Sequence, residues 1–246
     1  MLGALAWSSV DRVAQQGTQA IIGIILARLL SPSDYGLMGV VMIFTTLSYI
    51  LVEGGFTASL VRTKEITKEH TNTVFYSNLA VSISLYIIFF FAAPFIADFF
   101  SQKELTPLIR VTNLALIFNS LYIVPYGLIE RELNFKKLAK INFISTTLSG
   151  LSGAVSAYYN VGVWALVIQQ TSYHFIRSIC FYIWQRWLPS LIFSKKVFKE
   201  YASFSIHILS SNILNIFFNN IYTFLLGKFY SVKQLGYYTH ANKMAE

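Results

Sequence analysis

Within the opening segment MLGALAWSSVDRVAQQGTQAIIGIILARLL, an apolar run long enough to cross a membrane carries Asp11, Arg12, Gln15, Gln16, Thr18 and Gln19. At about 100° per residue, these residues and Ser8 fall within roughly half of a helix circumference. Val10, Val13, Ala14, Gly17, Ala20, Ile21 and Ile24 take the other half. Charges at membrane depth are costly unless they face protein or water. The stripe is therefore either a hydrogen-bonded seam against neighbouring helices or the wall of a water-filled cavity. Glu53, in LVEGGFTASLVR, lies at a depth comparable to Arg12. An Arg12–Glu53 or Arg12–Asp11 pair would reduce the burial cost. Gln170, His174 and Arg177 stand at i, i+4 and i+7 on one helix face, with snorkelling of Arg177 toward water as the alternative role. Ser211, Asn215, Asn219 and Tyr222 stack along one side of a later segment, near His207. Interhelical hydrogen bonding accounts for that stripe without a ligand.

Bond-breaking chemistry has little to stand on. There is no glycine-rich phosphate loop followed by Lys and Ser/Thr, and no His-Glu-x-x-His pair. Four scattered histidines and the single Cys180 do not compose a metal site, and one cysteine excludes a disulfide within the chain. No catalytic residue, metal or cofactor is expected. Polar faces converging on a membrane interior point to translocation rather than catalysis.

The elements that must position these residues follow from composition. Of 246 residues, 55% are hydrophobic and 12% charged, against about 25% charged in a soluble domain. The mean hydropathy is +0.55. Seven apolar windows suit a roughly 30 Å hydrocarbon core: about 4–30, 37–60, 73–97, 107–129, 138–158, 161–185 and 202–229. In lipid each must be a helix, so the fold class is an all-α polytopic membrane protein. No cleaved leader is expected, and Pro94 and Pro125 are candidate helix kinks.

The net charge of +8 is distributed by loop, which argues for topology rather than nucleic-acid binding. Arg62, Lys64 and Lys68 fall in the second loop, Arg131, Lys136, Lys137 and Lys140 in the fourth, and Arg186, Lys195, Lys196 and Lys199 in the sixth. The odd loops hold only Arg28 and Lys103. By the positive-inside rule the even loops and the N-terminus are cytoplasmic. Attraction to anionic head groups is a secondary role of the same charges. There is no low-complexity segment and no strict short repeat.

Three segments carry a resemblance. LARLLSPSDYGLMGVV, with Arg28, Pro32, Asp34, Tyr35 and Gly36, is similar to the first-loop pattern of polysaccharide flippases in the multidrug/oligosaccharidyl-lipid/polysaccharide exporter superfamily. Physically, Ser31–Pro32–Ser33–Asp34 supplies a stop and a turn, and Gly36 frees the chain to re-enter the membrane. EGGFTASLVR agrees with the pattern, and LGYYTHANKMAE resembles the family's stretch between the seventh and eighth helices. The resemblance implies two six-helix bundles facing each other across a cavity and working by alternating access in a bacterial cytoplasmic (inner) membrane. The implied cargo is a polyprenyl-pyrophosphate-linked oligosaccharide for lipopolysaccharide or other surface polysaccharide. The implied partners are that lipid-linked oligosaccharide, the bilayer and other polysaccharide-assembly membrane proteins.

A confined pyrophosphate needs cationic partners. Arg12 and Arg177 are the candidates by depth and face, with Gln15, Gln16, Gln19, Glu53, Gln170, His174 and Asn215 around them. Family members have about twelve to fourteen spans, so the chain is expected to be a fragment. It would hold a six-helix bundle (1–187), a basic linker (188–200) and the first helix of a second bundle (201–246).

Rival readings are a drug or cation exporter of the same superfamily and a membrane-embedded polysaccharide polymerase or ligase. The exporter would rely on intramembrane acids, of which only Asp11 and Glu53 qualify. The enzyme would show a large outer loop with Arg and His. A seven-helix receptor fits the span count but not a cytoplasmic N-terminus.

Overall fold

Apolar runs parted by short polar turns become helices because a backbone in lipid must satisfy its own hydrogen bonds. The computed structural model describes residues 2–53, 59–60, 63 and 65–245, with the side chains of all but 2–6, 8–10, 53, 204–219 and 242–245. Among the described residues there are nine α-helices and no strand. They are α1 (Leu2–Leu29), α2 (Pro32–Glu53), α3 (Lys68–Phe99), α4 (Leu105–Thr112), α5 (Leu114–Arg131), α6 (Phe135–Tyr158), α7 (Trp164–Gln185), α8 (Lys195–Phe229) and α9 (Val232–Ala245).

Among the described residues, three passes are long and apolar enough to cross a membrane: Pro32–Val52, Lys68–Phe99, and Leu105–Arg131, which joins α4 to α5. The helices α1, α6, α7 and α8 have 28, 24, 22 and 35 residues, so each spans at least ~33 Å at 1.5 Å per residue. On α3, Ile83, Ile87, Ile88, Phe91 and Phe95 form one broad exposed apolar stripe, a liability in water and a fit to lipid. The chain is a multi-pass helical membrane protein.

The two ends of the bundle are packed differently. The turns around Lys137 and Ser194 lie at what is here termed the basic end. Those around Ser31, Ser101, Asn160 and Ser231 lie at the far end. At the far end one cluster draws in Leu26 of α1, Val41 of α2, Ala97 of α3, Leu108 of α4, Ala165 of α7 and Leu235 of α9. At the basic end Val52, Phe75, Ile123 and Val197 join α2, α3, α5 and α8. Tyr122, Leu138 and Phe181 join α5, α6 and α7. The described core residues of α1 are Ile22 and Leu26, both in its far-end half, and Leu30 just past its end joins them.

Both internal prolines leave a carbonyl four residues upstream without its helical N–H, and both carbonyls are claimed from a neighbouring helix. Pro94 frees the carbonyl of Phe90, which accepts from Arg110 Nε at 3.1 Å while the guanidinium lies 4.2 Å from the Phe90 ring centroid. Pro125 frees that of Leu121, which accepts from the Tyr182 hydroxyl at 3.1 Å. Arg110→Ala and Tyr182→Phe are each expected to cost about 1–2 kcal/mol in thermal unfolding of the detergent-solubilised protein. In a Pro94→Ala background, whose restored N–H serves the Phe90 carbonyl, Arg110→Ala should cost measurably less. An undiminished cost would show that Arg110 acts only through packing.

The α1–α2 hairpin is set by a cap. Asp34 Oδ2 accepts from the Ser31 backbone N–H at 2.9 Å and from its hydroxyl at 2.7 Å, and Ser31 Oγ accepts from the Asp34 N–H at 3.3 Å. Pro32 takes the first helical position, where its missing N–H costs nothing. The expected stop and turn are therefore present, but Gly36 has another role. It lies inside α2, where a Cβ would strike the Val232 carbonyl oxygen of α9. Re-entry needs no special freedom at Gly36, whereas the close approach of α9 does.

The α8–α9 hairpin repeats this cap 200 positions on. Gln234 Oε1 accepts from the Ser231 N–H at 3.1 Å and its hydroxyl at 3.0 Å, and Ser231 Oγ accepts from the Gln234 N–H at 3.3 Å. A Cβ on Gly236 would strike the Pro32 carbonyl oxygen, the counterpart of the Gly36–Val232 contact. Gly39 faces its own counterpart, Thr239, whose Cβ stands 3.5 Å from where a Gly39 Cβ would lie. The two hairpins thus meet through the same patch of each, as across a local two-fold axis. Leu235–Ala245, expected to connect two helices, is itself helical and belongs to this contact.

The basic linker is not free. The Ser190 N–H donates to Asn72 Oδ1 at 2.6 Å and the Ser194 N–H to Thr73 Oγ1 at 3.0 Å. Trp187 packs on Phe75, ring centroids 5.5 Å apart. Helix α8 begins at Lys195, capped by Ser194, so the basic residues 195–199 are helical.

Candidate functional site

The polar stripe of α1 divides along its length. On one edge Asp11 accepts from Gln15 Nε2 at 2.8 Å and from Asn142 Nδ2 of α6 at 3.1 Å, and the Thr18 hydroxyl donates to the Ala14 carbonyl. This edge is a seam against α6, reinforced where Ile22 fills the space left by Gly150. The expected Arg12–Asp11 pair is not formed; the Asp11 carboxylate turns into the seam, one oxygen to Gln15 and the other to Asn142. Gln15 is half-buried in that seam. On the other edge Arg12, Gln16 and Gln19 are exposed. Seam and open polar face coexist on one helix. The side chain of Glu53, its proposed alternative partner, lies outside the described residues, as does that of Asn215.

His174 and Arg177 come together as their spacing predicts, with partners the spacing could not name. Tyr122 of α5 holds both. Its hydroxyl lies 2.9 Å from His174 Nδ1 and accepts from Arg177 Nη1 at 3.4 Å. His174 is buried, stacked on Tyr49 of α2 with centroids 4.9 Å apart. The Arg177 guanidinium lies 4.8 Å from the ring centroid of Tyr122, 5.5 Å from Tyr126, 5.6 Å from Tyr173 and 5.7 Å from Phe181. It therefore points into the bundle and does not snorkel.

A guanidinium among ring faces is attracted to their quadrupoles, yet its Nε has no hydrogen-bond partner among the described residues. Among the described residues no carboxylate pairs with this positive charge. Gln170 lies about two turns along α7, half-buried and outside this hydrogen-bonded set. The sequence signal for the cage is the spacing of Tyr122 and Tyr126, one turn apart. Only the packing of α5 on α7 reveals what they enclose.

The first-loop residues sit apart from the cage, at the far end. Tyr35 is buried and meets His240 edge-on, with centroids 4.9 Å apart. Asp34 Oδ1 lies 3.1 Å from where a Cβ of Gly162 would project. Gly162 holds φ +60° in the α6–α7 turn, a conformation suited to glycine. Arg28 is exposed. These residues shape the hairpin and its contacts.

Comparison with known proteins gives a family model described as "Polysaccharide biosynthesis protein", matched over residues 25–246. The chain is similar to the "Teichuronic acid biosynthesis protein TuaB" of Bacillus subtilis, with 26% identity over 98% of this chain and 50% of the relative. The "Succinoglycan biosynthesis transport protein ExoT" of Rhizobium meliloti shares 26% identity over 98% of this chain and 49% of its own length. The "Lipopolysaccharide biosynthesis protein WzxC" of Escherichia coli shares 24% over 97% and 49%. The chain thus spans about half the length of these curated relatives. No solved structure matches.

Proposed function

The chain belongs to the polysaccharide biosynthesis protein family, and from that premise we propose that it forms one half of a flippase. Its cargo is an oligosaccharide carried on a polyprenyl pyrophosphate, turned across the bacterial cytoplasmic membrane by alternating access for surface polysaccharide. The basic end, with the N-terminus, faces the cytoplasm. The open edge of α1 lines the cleft, with Arg12 as the first cation to meet the pyrophosphate and Gln16 and Gln19 as hydrogen-bond donors. Arg177 is the second cation, oriented by its tyrosines.

The observation that carries this reading is the asymmetry of α1. Its far-end turns, from Ile22 on, are locked into the shared core, while the exposed Arg12, Gln16 and Gln19 come before them, on the side toward the basic end. A bundle closed at one end and polar at the other suits an inward-open state. Of the two acids a cation exporter would use, Asp11 and Glu53, Asp11 is already engaged by Asn142 and Gln15.

Single cysteines test it. In the full-length protein with Cys180→Ser, Gln16→Cys and Gln19→Cys should react with a membrane-impermeant maleimide in inside-out vesicles. Val13→Cys and Ile24→Cys, equally exposed but facing lipid, should stay silent because a thiol in hydrocarbon remains protonated. Silence at all four positions would remove the cleft.

A further inference from the structure

We infer that a cavity at the basic end, between the start of α6 and the end of α7, is a binding site for the phosphodiester head group of an anionic glycerophospholipid. The cavity measures about 220 Å³ and is lined by Asn134, Lys136, Lys137, Lys140 and Trp184. A single water occupies about 30 Å³ of liquid, so the space suits a head group. The site is separate from Arg12 and the Arg177 cage, and it stands whether or not the chain transports an oligosaccharide.

Three lysines line the cavity, and the partners they have are neutral. Lys137 Nζ donates to Gln185 Oε1 at 2.6 Å, and the Lys136 amine lies 5.3 Å from the Trp7 ring centroid. Among the described residues none of the three meets a carboxylate. Lys136 and Lys137 also sit in the first turn of α6, which carries no acidic residue. The positive end of the helix dipole adds to their charge there rather than offsetting it. Like charges gathered this closely are stabilised by an anion placed between them. Asn134 meanwhile spends its side-chain oxygen on the Lys137 backbone N–H at 3.2 Å. Its amide N–H groups stay available to a phosphate oxygen.

The surroundings select a lipid as the source of that phosphate. Trp184 and Trp7 are partly exposed, at 38% and 39%, beside the lysines at the end of membrane-spanning helices. Amphipathic indoles favour that boundary level. Just below it, Ile183 and Phe143 are exposed apolar side chains against which acyl chains can lie. Basic pockets between helices on the cytoplasmic side suit anionic head groups, and the topology proposed above turns this end to that leaflet. Lysine ammonium groups, as point charges with rotatable donors, suit a phosphodiester that presents oxygens without fixed bidentate geometry.

Native mass spectrometry of the full-length protein, released from nanodiscs of phosphatidylcholine and phosphatidylglycerol, tests the site. The wild type should retain phosphatidylglycerol in preference to phosphatidylcholine. The triple variant Lys136→Gln/Lys137→Gln/Lys140→Gln should lose that retention by roughly tenfold. Lys136→Arg/Lys140→Arg should keep it. The triple variant Lys195→Gln/Lys196→Gln/Lys199→Gln removes the same charge from the neighbouring basic cluster and should leave retention unchanged. Equal losses in the two triple variants would overturn the site in favour of diffuse attraction. Preferential retention of polyprenyl phosphate over phosphatidylglycerol would overturn the assignment to a glycerophospholipid. Release of the lipid by an equal concentration of inorganic phosphate would assign the cavity to a free anion. Monodisperse gel filtration of both triple variants checks that each is folded.

Discussion

A Gly39→Cys/Thr239→Cys pair, in a Cys180→Ser background, should form a disulfide under mild oxidation and stop polysaccharide export until it is reduced. The Cβ separation of 3.5 Å across the α2–α9 contact lies within the 3.5–4.5 Å or so that a disulfide requires. Alternating access needs the far end to part when the basic end closes, so a covalent bond there holds one state and excludes the other. Export should fall to background in oxidised cells and recover with reductant, while Thr239→Cys alone exports normally. Full export with the cross-link formed would mean that α2 and α9 never separate, and the proposed mechanism would fail. Gly236→Val is the complementary test. A side chain there must displace the Pro32 backbone, an overpacking cost of about 3 kcal/mol. In a protein of this size that is roughly 6–12 °C in Tm. The same substitution should sharply reduce cross-linking of the 39–239 pair.

Arg177→Gln should lower exported polysaccharide by roughly a hundredfold, the effect of losing one desolvated charge contact worth about 3 kcal/mol. Glutamine keeps some length and donor capacity but no charge, so protein abundance in the membrane should stay near the wild-type level. Arg177→Lys should recover part of the activity, because an ammonium retains the charge while losing the planar fork that stacks on the tyrosines. Tyr122→Phe leaves the guanidinium in place but removes the hydroxyl shared with His174, and should give an intermediate loss. The measurement is surface polysaccharide per molecule of membrane protein. Abundance falling in step with export in Arg177→Gln would make the cage a packing device rather than a cargo site.

The apolar runs made the helices legible because lipid leaves the backbone no other choice, and the first-loop residues made the α1–α2 hairpin legible because Ser31, Pro32 and Asp34 are specific cap chemistry. Helix faces were equally legible: the i, i+4, i+7 spacing put His174 with Arg177. What a helix face meets is decided by packing, however, and periodicity is silent on that. Tyr122, which bridges the pair, lies 52 residues from His174 in sequence. Asn142, which takes the Asp11 carboxylate, lies 131 residues away. Charge complementarity pointed to Asp11 or Glu53 as the partner of Arg12, but α6 brought a neutral amide to the Asp11 carboxylate. Helix α9 escaped notice for a different reason. It is polar and short, so no hydropathy window marks it, and its stability comes from the Ser231 cap and the glycine contact with α2.

The matched caps at Ser31 and Ser231 also bear on ancestry. A hairpin that meets its own counterpart through one patch is what a shorter ancestral chain would present to a second copy of itself. Gene duplication would then join the two copies and release them to diverge. The record of divergence is graded by physics. Asp34 and Gln234 differ, since either side chain can accept the serine N–H and hydroxyl, and Pro32 and Val232 differ, since both suit a first helical turn. Gly39 and Thr239 differ because only one side of a self-facing position needs to stay small. Gly36 and Gly236 keep their identity, as the capping Ser31 and Ser231 do, because each glycine must admit the backbone of the other hairpin. On this picture side chains at the junction are free to differ, but not at the two places where a side chain would have no room.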